Sequence, residues 1–261
     1  MTIRPAKRGR DVSKGSPMVR NVTPVLGIDL ACRRWADIGT ARLEPVAGTR
    51  ARAASPALVF PKGDPDPRVL AGLIDAHCRK FGVGWVALDG PHAWRDPAST
   101  RPGAGRWCEK LARAQGKTGV AETALPRTQL RWTRFCIEVF DALLAMPGVW
   151  LAGDGPSGHA YGVLETFPTA TWRALGLSPL PGKAAARVGG VEAWRERLEQ
   201  AAGLSVPAGL GHDDLQAVVA ALPAWALAGG GVRRAMALGD PARLAGGKRA
   251  EGLIWTLSDT E

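Results

Sequence analysis

The sequence predicts an α/β fold, and three observations carry that prediction. Short apolar runs recur that are bounded by Gly and Pro and are of strand length, as in Val25-Leu26-Gly27-Ile28-Asp29 and Gly84-Trp85-Val86-Ala87-Leu88-Asp89. Longer stretches carry apolar residues at helical spacing. The order is strands first, then strands alternating with helices, which predicts a sheet that begins antiparallel.

In chain order, residues 1–22 hold Arg4, Lys7, Arg8, Arg10, Lys14 and Arg20 against Asp11 alone. They are expected to form a disordered basic arm, and residues 23–261 a single domain with no internal repeat. After the run ending at Asp29, strands are expected at 35–39 and 57–60, with loops or an irregular hairpin between them. Asp66-Pro67 is a sound helix start, and Val69, Leu70, Leu73, Ile74 and His77 share one face of a helix reaching Phe81. The strand ending at Asp89 leads into a Pro- and Gly-rich loop, 92–105, and a helical piece around 106–113. Residues 130–146 form an amphipathic helix stopped by Pro147-Gly148. Tyr161–Pro168 is a further strand, bearing Glu165 near its end. Helices are expected at 169–175, 191–202 and 214–227, and a last strand at 252–257.

The formal charge of +10 favours a polyanionic partner such as nucleic acid, although Arg, Ala and Gly are abundant enough to reflect a general compositional bias. Cys32, Cys78, Cys108 and Cys136 are far apart, without a C-x-x-C pair. Reduced thiols in a cytoplasmic protein are the expectation. Residues 215–232 carry no charge, but this stretch is mostly Ala and contains Pro223. A buried helix is expected there, and no membrane partner.

Three strands deliver a lone acid: Asp29, Asp89 and Glu165. Ligands gather at the carboxyl ends of strands in open α/β sheets, and like charges brought together there need a shared cation. Oxygen donors suit Mg²⁺ or Mn²⁺, and a pair of such ions activates water against a phosphodiester. Each acid also has a structural alternative. Asp89-Gly90-Pro91 is a turn signal, Glu165 has many arginines to pair with, and Asp213 followed by Gln216 resembles a capping box. Asp213 or Asp214, at the head of the charge-free helix, would complete the metal site, and only one of the two can face it.

Gly-Ile-Asp-Leu-Ala (27–31), Leu-Asp-Gly-Pro (88–91), Arg106-x-Cys108-Glu109, Glu-Thr-Phe-Pro (165–168) with Lys183, the 212–217 helix head and Glu251-Gly252-x-Ile254 occur in that order. Together they resemble the domain-of-unknown-function 429 family, predicted nucleases of RNase H-like fold, over roughly residues 24 to 257. The resemblance implies an RNase H-like mixed sheet with helices on both faces, early strands antiparallel and later ones parallel, and the first strand central. It implies two metal ions on Asp29, Asp89 and Asp213, with Glu165 near the site. Asp29, Asp89, Glu165 and Asp213 are thus the expected catalytic residues, and Asp29, Asp89, Asp213 and Asp214 the expected ligands. His212, Gln216 and Glu109 are expected to support them from behind. Arg95, Arg101, Arg106, Arg113 and Lys183 are expected to contact the nucleic acid. Where the family helix carries a second acid, this chain has Gln216, which offers an oxygen without a charge, so one ion is expected to be weakly held or missing.

The leading expectation is therefore a metal-dependent nuclease. A degenerate nucleic-acid- or partner-binding module is the alternative that Gln216 suits. A sugar-kinase-like phosphotransferase shares the Gly-Ile-Asp opening but lacks that superfamily's Gly-rich phosphate motifs. Of the ten tryptophans, Trp94 and Trp107 beside the Arg-rich loop are the expected base-stacking candidates.

Overall fold

The computed structural model describes residues 22–46, 51–114, 118–121, 127–155, 160–231 and 233–258. The expected basic arm lies outside the described residues, apart from Val22. The described residues form one mixed sheet whose long path runs β7-β3-β2-β1-β4-β6-β9-β8, with β5 alongside β6. The strands are β1 (Val25–Asp29), β2 (Gly39–Pro45), β3 (Ala51–Ala54), β4 (Trp85–Asp89), β5 (Val149–Leu151), β6 (Tyr161–Thr166), β7 (Leu204–Ser205), β8 (Ala235–Ala245) and β9 (Lys248–Leu257). β1 pairs antiparallel with β2 and parallel with β4, so it is central, and β4, β6 and β9 continue parallel. This is the α/β mixed sheet expected, antiparallel early and parallel later.

Helices cover both faces. On one side α1 (Pro67–Phe81) packs against α3 (Arg127–Leu144), burying Leu70, Ile74, Phe140 and Leu143 against Leu26, Ile28 and Leu88. The other face carries α4 (Pro168–Ala174), α5 (Lys183–Gly189), α6 (Glu192–Ala202) and α7 (His212–Leu227). The short α2 (Trp107–Leu111) lies against β8 and β9. The Asp66 carboxylate caps α1 by accepting from the amides of Arg68 and Val69, both at 2.9 Å. Among the described residues, no helix is long and apolar enough to cross a membrane. All four cysteines are buried and free.

Several elements depart from the expectation. Trp35–Asp37 is a 3-10 turn, and the strand follows it at 39–45. Residues 57–60 are not a strand, because Pro56 and Pro61 flank them and remove ladder donors. The Ala57 and Leu58 amides donate instead to the Thr40 hydroxyl, at 2.9 and 3.1 Å. β2 and β3 occupy part of the stretch assigned to loops or a hairpin, and β5, β7, β8 and α5 are further additions. β8 runs antiparallel to β9. Its hairpin turns on Gly246 and Gly247, both at positive φ, a combination that suits a two-residue turn.

The closest packing in the fold is α7 on β1 and β2. A Cβ on Gly27 would lie 2.1 Å from the Ala217 carbonyl oxygen, and one on Gly39 would lie 2.0 Å from that of Asp213. Gly27→Ala is therefore expected to cost about 3 kcal/mol, the upper part of the range for overpacked cores. Gly72 is exposed within α1 with open space around it, so Gly72→Ala should stabilise by about 0.5–1 kcal/mol. Urea unfolding of the two variants measures both effects.

Candidate functional site

Strand alternation decides which acids meet. Val25, Gly27 and Asp29 point to the α7 face, and Leu26 and Ile28 to the α1/α3 face. Asp29 pairs in register with Asp89 on β4, and Asp89 in register with Thr166 on β6. Asp29 and Asp89 therefore stand side by side at the carboxyl ends of adjacent parallel strands. Glu165 is in register with Leu88 and points to the opposite face.

The third acid arrives from α7. Asp214 is turned toward β2, where it accepts the Thr40 amide at 3.2 Å. One position earlier, Asp213 faces Asp29, as the rotation of about 100° per residue requires. Asp29, His212 and Asp213 each offer a ligand atom within 4.8 Å of the others. Lys183 Nζ reaches Asp213 Oδ2 at 2.7 Å. His212 Nε2 lies 3.0 Å from the Pro181 carbonyl, and its Nδ1 3.0 Å from Asp213 Oδ1. A carbonyl can only accept, so Nε2 carries the proton and donates, and Nδ1 is the nitrogen turned to the acids.

The electrostatics follow from burial and company. Burial pushes the Asp29 carboxyl well above the usual range, and Asp89 and Asp213 add to it, against smaller opposing effects of Lys183 and His212. Asp89 is raised to about 7 by burial and then by Glu165. Burial would also raise Asp213, but the hydrogen bonds from His212 and Lys183 outweigh it and hold the group low. Asp214 is raised, chiefly by burial. Asp29 and Asp89 are thus crowded carboxyls that a cation would relieve.

Glu165 belongs to a separate, closed arrangement. Arg106, 1% exposed, donates from Nη1 and Nη2 to its two oxygens at 2.8 and 2.5 Å. His92 adds its backbone amide at 3.0 Å and its Nδ1 at 2.6 Å. Burial alone would raise Glu165, yet the Arg106 guanidinium and these hydrogen bonds bring it down to about 2. The Arg106 Nε turns to Glu109, which also accepts the Thr118 amide at 3.1 Å.

This corrects several expectations. Glu165 is a buried ion-pair partner of Arg106 on the opposite face of the sheet from Asp29, and the Arg106 guanidinium is engaged by Glu165 and Glu109 rather than free. Glu109 braces Arg106 and the Thr118 loop and supports no acid of the cluster. Asp214 pins the helix head to β2. The carbonyl oxygen of Gln216 accepts the Trp172 indole N–H at 2.9 Å. Arg95 is folded back on its own loop, donating to the carbonyls of Ser99, Arg101 and Gly103. Arg101 pairs with Asp240 at 2.7 Å and lies over the Trp107 ring at 4.6 Å. Arg113 is exposed on the turn after α2. Trp94 is buried, and Trp107 is half-buried with Arg101 and Lys110 against its ring. The sequence reading passed over Trp132, the one tryptophan on α3, whose half-buried indole donates to the Leu30 carbonyl at 2.9 Å. Only its helical position next to the apolar face hinted at it. Comparisons with protein-family models, curated proteins and solved structures return no match for this chain.

Two predictions follow from the contrast between the arrangements. Glu165→Gln leaves the buried Arg106 guanidinium with Glu109 as its remaining carboxylate and should cost about 3 kcal/mol in urea unfolding. Asp89 behaves oppositely. Its native pKa of about 7 lies above the ordinary 3.8, so the native state holds more protons between those values and loses stability as pH rises through that window. In chelator, the melting temperature of Asp89→Asn should match the parent below about pH 4 and exceed it by a margin that grows up to about pH 7. A margin that shrinks with rising pH would contradict this assignment.

Proposed function

We propose that the protein is a divalent-metal-dependent phosphodiesterase acting on nucleic acid. The observation that carries this reading is the convergence of Asp29, Asp89 and Asp213 from two adjacent strand ends and a helix head, with His212 Nδ1 turned into the group. Burial and mutual repulsion make the acids costly without a cation. The donor set suits one ion held by Asp29, Asp213 and His212, and the Nε2–H bond to the Pro181 carbonyl is the orientation that metal-bound imidazoles use. Mg²⁺ or Mn²⁺ are the ions we favour, Mn²⁺ the more so because of the imidazole. When bound, such an ion supplies Lewis acidity and an activated water. Asp29 and Asp89 offer oxygen donors for a second ion, and the Gln216 side-chain oxygen accepts the Trp172 indole N–H.

The chain's own residues supply the rest. The Asp89 carboxylate, poised near neutrality, accepts the proton of an attacking water. Lys183 fixes Asp213 and brings a positive charge to the site. Exposed Arg33 and Arg34 follow β1, with Arg34 near enough to Asp213 for their charges to interact. With the net charge of +10, they favour a phosphate backbone as substrate.

The test is cleavage of RNA, DNA and branched substrates with Mg²⁺ or Mn²⁺, compared with Asp29→Asn. Divalent-dependent cleavage lost in Asp29→Asn supports the reading. A parallel melt gives a readout independent of turnover. Mn²⁺ at a hundred times its Kd should stabilise the parent by about 2.7 kcal/mol and leave Asp29→Asn unchanged, and His212→Ala should weaken Mn²⁺ binding. No cleavage together with salt-sensitive nucleic-acid binding would instead favour a non-catalytic binding module. The Gln216–Trp172 hydrogen bond, which engages the oxygen expected for a second ion, is the observation on that side.

A further inference from the structure

A cleft of about 250 Å³ opens beside Asp89, between the carboxyl ends of the strands and the first turns of α3. Trp132, Phe167, Pro91 and Ala114 give it apolar walls, and Arg106, Glu109 and Glu165 lie at its floor. The volume is below that of drug-sized sites and suits a single ring system. Trp132 and Phe167 are half-buried, so each offers part of an aromatic surface. The Trp132 ring is held in place by its bond to the Leu30 carbonyl, one residue beyond Asp29.

We infer that this cleft seats one unpaired base of the substrate, stacked against Trp132 or Phe167, with its phosphodiester lying over Asp29 and Asp89. The inference rests on the hydrolase reading for its substrate class. It adds a requirement that the acid cluster alone does not impose. Asp89, Glu109 and Glu165 bring three carboxylates to the cleft against the single guanidinium of Arg106, and that guanidinium is already engaged by Glu109 and Glu165. A phosphate is repelled there, whereas a neutral ring with amine donors is not. Stacking supplies affinity without reading sequence. A base inside a duplex is paired and stacked, so entry requires a single strand or an extruded nucleotide.

Binding tests this without turnover. In an Asp29→Asn background without divalent metal, fluorescence anisotropy would follow a labelled single strand of about ten nucleotides, the matching duplex, and inorganic polyphosphate as a backbone-only probe. The single strand should bind more tightly than the duplex. Trp132→Leu and Phe167→Leu, each confirmed folded by circular dichroism, should between them include at least one that weakens the single strand about tenfold and leaves polyphosphate unchanged. Single-strand affinity untouched in both variants, equal losses for polyphosphate, or preference for the duplex would overturn the inference. Its failure is separable from that of the hydrolase reading. Aromatic-dependent binding without divalent-dependent cleavage by the parent removes the hydrolase and keeps the cleft, whereas cleavage without aromatic dependence does the reverse.

Discussion

The close seating of α7 on β1 and β2 is the constraint on which the site depends. Gly27 and Gly39 have no side chains because the backbone of α7 occupies the space where their Cβ atoms would be. Ala217 and Ala221 complete the contact from the helix side. A helix held that near the sheet places its first turn at the carboxyl end of β1. The Asp214–Thr40 hydrogen bond then fixes its rotation, and helical geometry turns Asp213 toward Asp29. Packing among four small residues thus determines the separation of two carboxylates.

The same sheet end supports two ionic arrangements with opposite outcomes. Glu165 is buried with a bidentate guanidinium and a histidine, so its charge is paid for locally and its pKa falls. Asp29 and Asp89 stand half-buried beside each other, Lys183 lying on Asp213 instead, and desolvation and repulsion raise both. The difference arises from one step of strand alternation, since Glu165 lies one residue before Thr166, the position in register with Asp89. A carboxylate count at the strand ends treats these acids alike, but their environments separate them: one anchors the loop that carries Arg106, and the others are held above their ordinary range by desolvation and each other.

This explains how far the fold and site were legible in the sequence. The α/β order and the α1, α3 and α7 helices were legible because apolar periodicity and Asp66-Pro67 are local signals, whereas the central place of β1 was implied only by the family resemblance. Asp29, Asp89 and Asp213 stood out as acids at element ends. Glu165 misled because sequence shows that a strand carries an acid without showing which face it meets or which distant Arg it pairs with. Arg95 and Arg106 misled for the same reason, since a guanidinium in a polar loop reads as exposed until its carbonyl or carboxylate partners are known. β8 was hidden by Gly239 and Pro241, which break its alternation where the register shifts. Trp132 was hidden because its role depends on the Leu30 carbonyl, about a hundred residues away in the chain.

The division of Asp213 between its partners bears on how an ion would enter. Oδ2 is engaged by Lys183 and Oδ1 faces His212 Nδ1. The His212 ring bridges the Pro181 carbonyl and Asp213, with Nδ1 turned to the acids. An ion held by this group would take Nδ1, with the Nε2–H bond to Pro181 keeping the ring oriented. An ion held by these carboxylates would compete with protons for them, so its binding would strengthen as pH rises. Burial and repulsion at Asp29 act in the same direction, because an ion and a proton compete for a carboxylate held above its ordinary range. Lys183 need not leave, since it occupies the other oxygen. The donor atoms are thus positioned by the fold itself, and an ion held there would displace protons from the carboxylates rather than require α7 to move.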